Sequence, residues 1–375
     1  MSEKTIPWWL TTLGDDETDA LREAVQNRCI NRGRLCERLE QRLGAAMDGA
    51  HVVLTTSGSA SLLLALMSCG IGPGDEVVVP AFGFIAPAHA ALLPGASVRL
   101  VDVLPDRPLI DPELVGPALT ERTKAVIAVH LNGCSIDMRA LRALTAPRGI
   151  ALIEDCAQAF QSRNAVGLLG TQSDAGAFSF GITKLITTAE GGFVATRDET
   201  RYRKLRRLQN HGTERIADNV FGEPGFNLRL TDLQAAVGLV QLDKLQRKID
   251  AVQRVHVFYR DALAGIPCLK LLEADIAGGQ IPLWTQALCT ERDLVVEGLA
   301  ERGIQAAPFH PCLADSPHLR QQGEFPNSRF FACHGLTLPS GTDQPEENLA
   351  RTADALREVC AGLPEWNCRK FHEEL

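Results

Sequence analysis

The stretch EVVVP, Glu76–Pro80, sets three valines in a row and closes them with a proline. A strand with one face in water alternates apolar and polar residues, whereas a continuously apolar run suits a strand covered on both faces. Six other short runs share this character: HVVLTT from His51, SVRLVD from Ser97, KAVIAVH from Lys124, IALIED from Ile150, AGAFSF from Ala175 and GGFVAT from Gly191. Helical stretches lie between many of them. The pattern predicts an α/β fold, a largely parallel sheet sandwiched by helices.

Farther along, LTDLQAAVGLVQLDKLQRKIDAVQRVHVFYRDAL from Leu230 repeats apolar residues at helical spacing, and no proline stands between Pro224 and Pro267. This reads as one long helix, N-capped by Thr231 or Asp232, that leaves a first domain and enters a second. The expected division is 1–246, an N-terminal arm and a large domain, and 247–375, a small domain. In the latter, QIPLWTQALCT reads as a strand, and DLVVEGLAERG and NLARTADALREVCAGL read as helices.

The length of 375 residues allows two or three domains, and 45% hydrophobic with 22% charged residues is ordinary for a folded soluble protein. A net charge of −8 without a dominant basic block argues against nucleic acid as a partner. The local exception, RYRKLRRLQ from Arg201, reads as a solvated helix face, with steering of an anionic substrate as the alternative. Eleven cysteines without a C-x-x-C pair or a histidine cluster indicate reduced thiols and no metal site. The first residues lack a basic region followed by an apolar one, and no run of about eighteen apolar residues occurs. The expectation is a cytoplasmic protein with no membrane partner.

In open α/β sheets ligands bind beyond the carboxyl ends of the strands, and several runs end in residues with chemistry. TTSGSASLLLAL from Thr55 places small residues and hydroxyls at a helix start, where free N–H groups suit phosphate, though such a turn also serves geometry alone. It is neither a Walker loop nor a dinucleotide fingerprint. In ALIEDCAQA, Glu154 and Asp155 point to opposite sides of a strand, so at most one faces the cleft directly. FSFGITKLITTAEGG, Phe178–Gly192, carries Lys184 just past a strand. A desolvated lysine loses basicity and can form a Schiff base with an aldehyde. If that aldehyde belongs to pyridoxal 5′-phosphate, the other pieces acquire roles: Gly58, Ser59 and Ser179 take the phosphate, Asp155 holds the proton on the ring nitrogen, and Phe84 stacks on the ring. His211 and His310 are weaker candidates for acid and base, and Trp8 and Trp9 read as anchors of the N-terminal arm, with stacking on a sugar as the alternative.

Taken with GPGDEVVVPAFGFIAPAHA, LIEDCAQAF, GAFSFGITKLITTAEGGFVAT, NHG from Asn210, GFNLRLTDLQAAVGLVQL from Gly225, PFHPC from Pro308 and LTLPSGTDQPE from Leu336, the chain resembles the DegT/DnrJ/EryC1/StrS sugar aminotransferases over nearly its whole length. The resemblance implies fold type I, with a mainly parallel seven-stranded sheet and a smaller C-terminal α+β domain. It implies a pyridoxal-phosphate-dependent aminotransferase that moves an amino group from glutamate or glutamine to a keto sugar, nucleotide-linked, in amino-sugar or natural-product biosynthesis. Lys184 and Asp155 become catalytic residues and Gln158 lies near the ring hydroxyl. Asn227 reaches the phosphate of a neighbouring subunit's cofactor, while Arg229 and His310 shape the substrate cleft. A homodimer with shared active sites follows.

Three positions depart from the family pattern. Gly181, Gly83 and Phe160 stand where a larger polar or aromatic residue, a hydroxyl residue and a histidine are common. A roomier pocket could admit a cyclitol or a non-sugar acceptor. Lyase or cyclase chemistry on the same cofactor, and a non-catalytic ligand-binding regulator, stay open as alternatives.

Overall fold

The computed structural model describes residues 5–319 and 323–366. Seven strands form the main sheet: β1 (His51–Thr55), β2 (Glu76–Pro80), β3 (Ser97–Val101), β4 (Thr123–Val129), β5 (Ala151–Asp155), β6 (Ala175–Ser179) and β7 (Gly192–Thr196). They are the seven apolar runs of the sequence, in the spatial order β1-β7-β6-β5-β4-β2-β3. Only β7 runs against its neighbours, pairing antiparallel with β1 and β6. The parallel pairs β2–β3, β2–β4, β4–β5 and β5–β6 bring their carboxyl ends to one edge.

Burial on both faces is visible residue by residue. In β2, Val77 and Val79 enter a core packed against α3 (Gly58–Ser68) through Leu62 and Leu66, whereas Val78 enters the core on the opposite face with Val126 and Leu152. Successive side chains of a strand point to opposite faces, so an all-valine run feeds both cores at once. Each fully buried valine or leucine contributes about 1.5–3 kcal/mol of transfer free energy.

The long helical stretch departs from expectation. It is two helices, α8 (Asp232–Asp243) and α9 (Leu245–Ala262), broken at Lys244 with φ −89° and ψ 2°. At the break the Lys244 ammonium contacts Glu17 at 2.8 Å and Asp16 at 3.0 Å in α1 (Asp15–Gln26). Burial opposes the Glu17 charge, but Lys244 and the Gly14 N–H outweigh it and hold the carboxyl at about 2. Apolar periodicity continues across the break because both helices keep an apolar face, which is why spacing alone does not reveal it. The N-cap is Thr231, whose hydroxyl accepts the Gln234 N–H in a capping box. Asp232 serves a different helix. Its Oδ1 accepts the N–H groups of Gly33 and Cys36, both at 2.9 Å, at the start of α2 (Arg34–Ala46).

RYRKLRRLQ lies in α7 (Glu199–Leu208), and its face is not wholly solvated. Arg201 reaches Asp174 at 3.3 Å and Arg206 reaches Glu40 at 3.0 Å, both from half-buried positions away from the strand ends. Beyond α9 a four-stranded sheet, ordered β8-β9-β11-β10, is built from β8 (Leu269–Leu271), β9 (Gln286–Cys289), β10 (Ala307–Pro308) and β11 (Gly335–Thr337). The N-terminal arm is tied beside it by the bridges Ile6 to Ile304 and Trp9 to Ser340. Trp9 Nε1 donates to the Ile182 carbonyl at 3.0 Å, so the anchoring expected of that residue is present.

Asp232→Ala removes the acceptor of two N–H groups at a buried helix start. Urea unfolding should show a loss of about 1–3 kcal/mol without a change in the slope of the transition.

Candidate active site

The carboxyl ends of β1, β2, β4, β5 and β6 open on a cavity of about 500 Å³. Gly58, Ser59, Phe84, Asp155, Gln158, Ser179, Lys184 and His310, eight residues singled out from sequence, line it together. Asn227 and Arg229 do not. Arg229 donates to Asn227 Oδ1 at 2.8 Å and to Asn210 Oδ1 at 2.9 Å, and Asn227 is exposed outside the cavity of its own chain. His211 is likewise exposed, at φ 59°, and is not part of the lining.

The first N–H groups of a helix have no intrahelical acceptor. In α3 the Ser57 hydroxyl takes the Ala60 N–H at 3.1 Å and the Ser57 carbonyl takes the Ser61 N–H, which leaves Gly58 and Ser59 to a ligand at the positive end of the helix. A Cβ at position 58 would come within 2.7 Å of the Ser179 Cβ. Glycine therefore lets the helix start press against the end of β6, where the Ser179 hydroxyl stands beside the free N–H groups.

At the end of β5 the two carboxylates part. Glu154 points away from the cavity and accepts His130 Nε2 at 3.1 Å, the Gly170 N–H at 2.7 Å and the Gln172 N–H at 2.9 Å. Burial works against its charge, and these donors outweigh it and keep the carboxyl below its usual range. His130 Nδ1 accepts the Ile136 N–H at 3.3 Å, which places the ring proton on Nε2. Cys156 lies close to this pair, but the polar atoms of Glu154 and His130 are spent on each other and on the backbone.

Asp155 faces the cavity, and its Oδ1 accepts the Ala157 N–H at 2.9 Å. Burial pushes its carboxyl up, against that hydrogen bond and the Lys184 charge. Lys184 sits in the loop after β6. Burial pushes its amine down to about 8, and Asp155 opposes the shift. Gln158 is oriented through its other end: its Oε1 accepts the Asn132 N–H at 2.7 Å, which leaves the amide nitrogen for a ligand. Phe84, half of its surface exposed, packs its ring 5.5 Å from that of His310.

Of the three departures, Gly83 lies at φ 130°, where a side chain is strained whatever space surrounds it. A Cβ at Gly181 would meet Ser179 Oγ at 3.5 Å and Lys184 Cγ at 4.0 Å, ordinary contacts, so its absence leaves room beside Lys184. Phe160 packs edge-on against Phe178 and Phe193 in the core behind the site. Sequence reading missed Glu190, Trp284, Gln286 and Thr337 in the lining, and took Trp8, which also lines the cavity, first as an anchor of the arm. Trp284 lay within a recognised strand-like run, but an aromatic in such a run is ordinarily core, and nothing local marks it as a site residue.

The donor set suits pyridoxal 5′-phosphate: free N–H groups and a hydroxyl for the phosphate, a buried carboxylate for the ring nitrogen, and an amine of lowered basicity for the aldehyde. On this sheet they define a pyridoxal-phosphate-dependent aminotransferase of fold type I. The chain belongs to the DegT/DnrJ/EryC1/StrS aminotransferase family, whose family model matches residues 11–357. GDP-perosamine synthase of Caulobacter vibrioides is 31% identical over an alignment of 356 residues that covers 92% of this chain and 96% of that protein. DesV of S. venezuelae, solved in complex with a ketimine intermediate, superposes with a TM-score of 0.91 at 31% identity, covering 96% of this chain and 100% of that one. 3-Amino-5-hydroxybenzoic acid synthase superposes with a TM-score of 0.88 at 26% identity, covering 96% and 100%.

Only the neutral amine attacks an aldehyde. Capture of pyridoxal 5′-phosphate by the ligand-free protein, trapped with borohydride, should therefore accelerate with rising pH through a midpoint near 8. Asp155 raises the Lys184 basicity, so Asp155→Asn should move that midpoint down; a midpoint that stays or rises would contradict the coupling between the two groups.

Proposed function

We propose that the protein moves an amino group from an amino acid donor, glutamate or glutamine, to a keto sugar, nucleotide-linked, in amino-sugar or natural-product biosynthesis. The observation that carries this reading is the placement of Lys184 and Asp155 in one cavity beside the unpaired N–H groups of α3. GDP-perosamine synthase, at 31% identity over 92% of this chain, is named for a nucleotide-linked amino sugar, which supports a sugar acceptor.

When bound, the cofactor supplies an aldehyde for the amine and a ring that takes up the electron pair left on the substrate carbon. Gly58, Ser59 and Ser179 would hold its phosphate, Phe84 would lie against its ring and the Gln158 amide would donate to its hydroxyl. Asp155, ionised opposite a cationic ring nitrogen, would keep a proton there. Lys184, as neutral amine, removes the proton from the donor carbon and returns one during the second half of the reaction. His310, at the mouth beside Phe84, and the room left at Gly181 bear on which acceptor enters.

The same reading divides the chain at 246/247 into a large cofactor-binding domain and a small domain. Gln286, Pro308 and Thr337 of the small domain complete the cavity. It also makes the protein a homodimer with shared sites. The exposed Asn227, locked to Arg229, supports this, since it serves no cavity in its own chain and would reach the neighbouring subunit's phosphate. Cytoplasmic placement is supported by the ten described cysteines, all free thiols; among the described residues no helix is long and apolar enough to cross a membrane.

With cofactor and glutamate or glutamine but no acceptor, one keto acid per active site should appear and then stop. Continuous product without an acceptor would point to lyase chemistry instead. Lys184→Ala should lower turnover by about a thousandfold or more. Mixing and refolding inactive Lys184→Ala with inactive Asn227→Ala chains should restore about a quarter of wild-type activity, because a mixed dimer holds one intact site. No recovery would refute site sharing through Asn227.

A further inference from the structure

The cavity wall carries a second carboxylate, Glu190, but of the carboxylates among the described residues only Asp155 acts on the charge of Lys184. The wall also carries an indole: Lys184 Nζ lies over the Trp284 ring, 5.3 Å from its centroid. An aromatic face attracts a cation through its quadrupole, most strongly where water is excluded, and tryptophan offers the largest face. Trp284 is buried, and its Nε1 has no hydrogen-bond partner among the described residues. A phenylalanine would avoid that cost, so the ring is retained here for its face.

The placement of Trp284 is fixed from two sides. The Asn132 side-chain amide clamps its backbone, accepting the Trp284 N–H at 2.7 Å and donating to the Trp284 carbonyl at 2.8 Å. Asn132 adopts φ 52° to do so, an uncommon conformation that asparagine tolerates. Its own N–H is the group that orients Gln158, so one residue aligns both walls of the cavity. Trp8 of the N-terminal arm meets Trp284 edge to face, with centroids 5.9 Å apart at 69°.

We propose that Trp284 is a positioning residue for Lys184, its indole face holding the side chain in the ammonium form that arises each time the amine takes a proton from substrate. The inference rests on the reading of Lys184 as the reacting lysine. The other titratable groups around Lys184 are Asp155 at the end of β5 with His130 of the β4 end behind it, His310 beyond β10, and Glu190 before β7. Asp155 is committed to the ring nitrogen once cofactor is bound. A further carboxylate beside Lys184 would compete for the proton that the lysine must return. A π face stabilises the ammonium and is not a base, so the proton taken up in each half of the reaction stays on Nζ until it is delivered within that same half.

The test is made on the ligand-free full chain, where it does not depend on turnover: competitive trace acetylation of Lys184 by acetic anhydride as a function of pH, read by mass spectrometry. Wild type should titrate near 8. Losing the π face removes a stabilisation of the charged form, so Trp284→Leu should lower the midpoint by about one pH unit, while Trp284→Phe keeps at least about half of the effect. Should Trp284→Leu fail to fold, 5-fluorotryptophan incorporated at all four tryptophans leaves the shape intact and thins the ring's electron density, and should shift the midpoint the same way. An unchanged or raised midpoint in a folded Trp284→Leu protein, or in the fluorinated one, would overturn the proposal. A wild-type protein that titrates as expected yet forms no keto acid from the donor would instead count against the aminotransfer reading.

Discussion

Asp155 and Lys184 share one cavity beyond neighbouring strand ends, and neither is comfortable there as an ion. Burial raises the acid and lowers the amine, while each partly restores the other's charge. This mutual dependence gives the cavity a carboxylate suited to a cationic partner and an amine that is substantially neutral near pH 8. A surface lysine would be protonated at that pH and a surface aspartate screened by water. The sheet supplies the condition for both, since a strand covered on two faces ends in a region from which water is largely excluded.

The same burial would be ruinous if it were not confined to the residues that use it. Glu154, one position before Asp155, is equally deep, yet three donors satisfy it and it stays ionised without a ligand. Alternation along β5 thus separates a carboxylate satisfied by protein donors from one that faces the cavity by a single residue. The positive end of α3, brought against β6 because position 58 has no side chain, adds an anion site on the third side of the cavity.

Residues far apart in the chain finish what the strands begin. Asn132 ties Gln158 to Trp284, which lies 152 positions beyond Asn132, and the N-terminal arm reaches over through Trp8 to brace the indole. Gln158, Trp284, Lys184 and the N-terminal arm are therefore linked in one chain of contacts. A substitution in the arm or at Asn132 would be felt at Lys184 without touching it.

The sequence by itself determined the seven strands, because continuous β-branched runs have only one way to bury both faces, and it determined which strand ends carry chemistry. It placed Lys184, Asp155 and the α3 turn, whose roles depend on local features: a strand end, an alternation, a helix start. The resemblance carried by those motifs and their spacing reached the family as well. Only the tertiary structure decided where the long helical stretch breaks, since the force at Lys244 comes from Glu17 and Asp16 more than two hundred positions away. It decided too that Trp284 and Trp8 belong to the cavity and that Asn227 and Arg229 lie outside it. Which face of an aromatic meets a cation, and which chain a polar side chain serves, follow from packing between distant segments, and no local pattern encodes that.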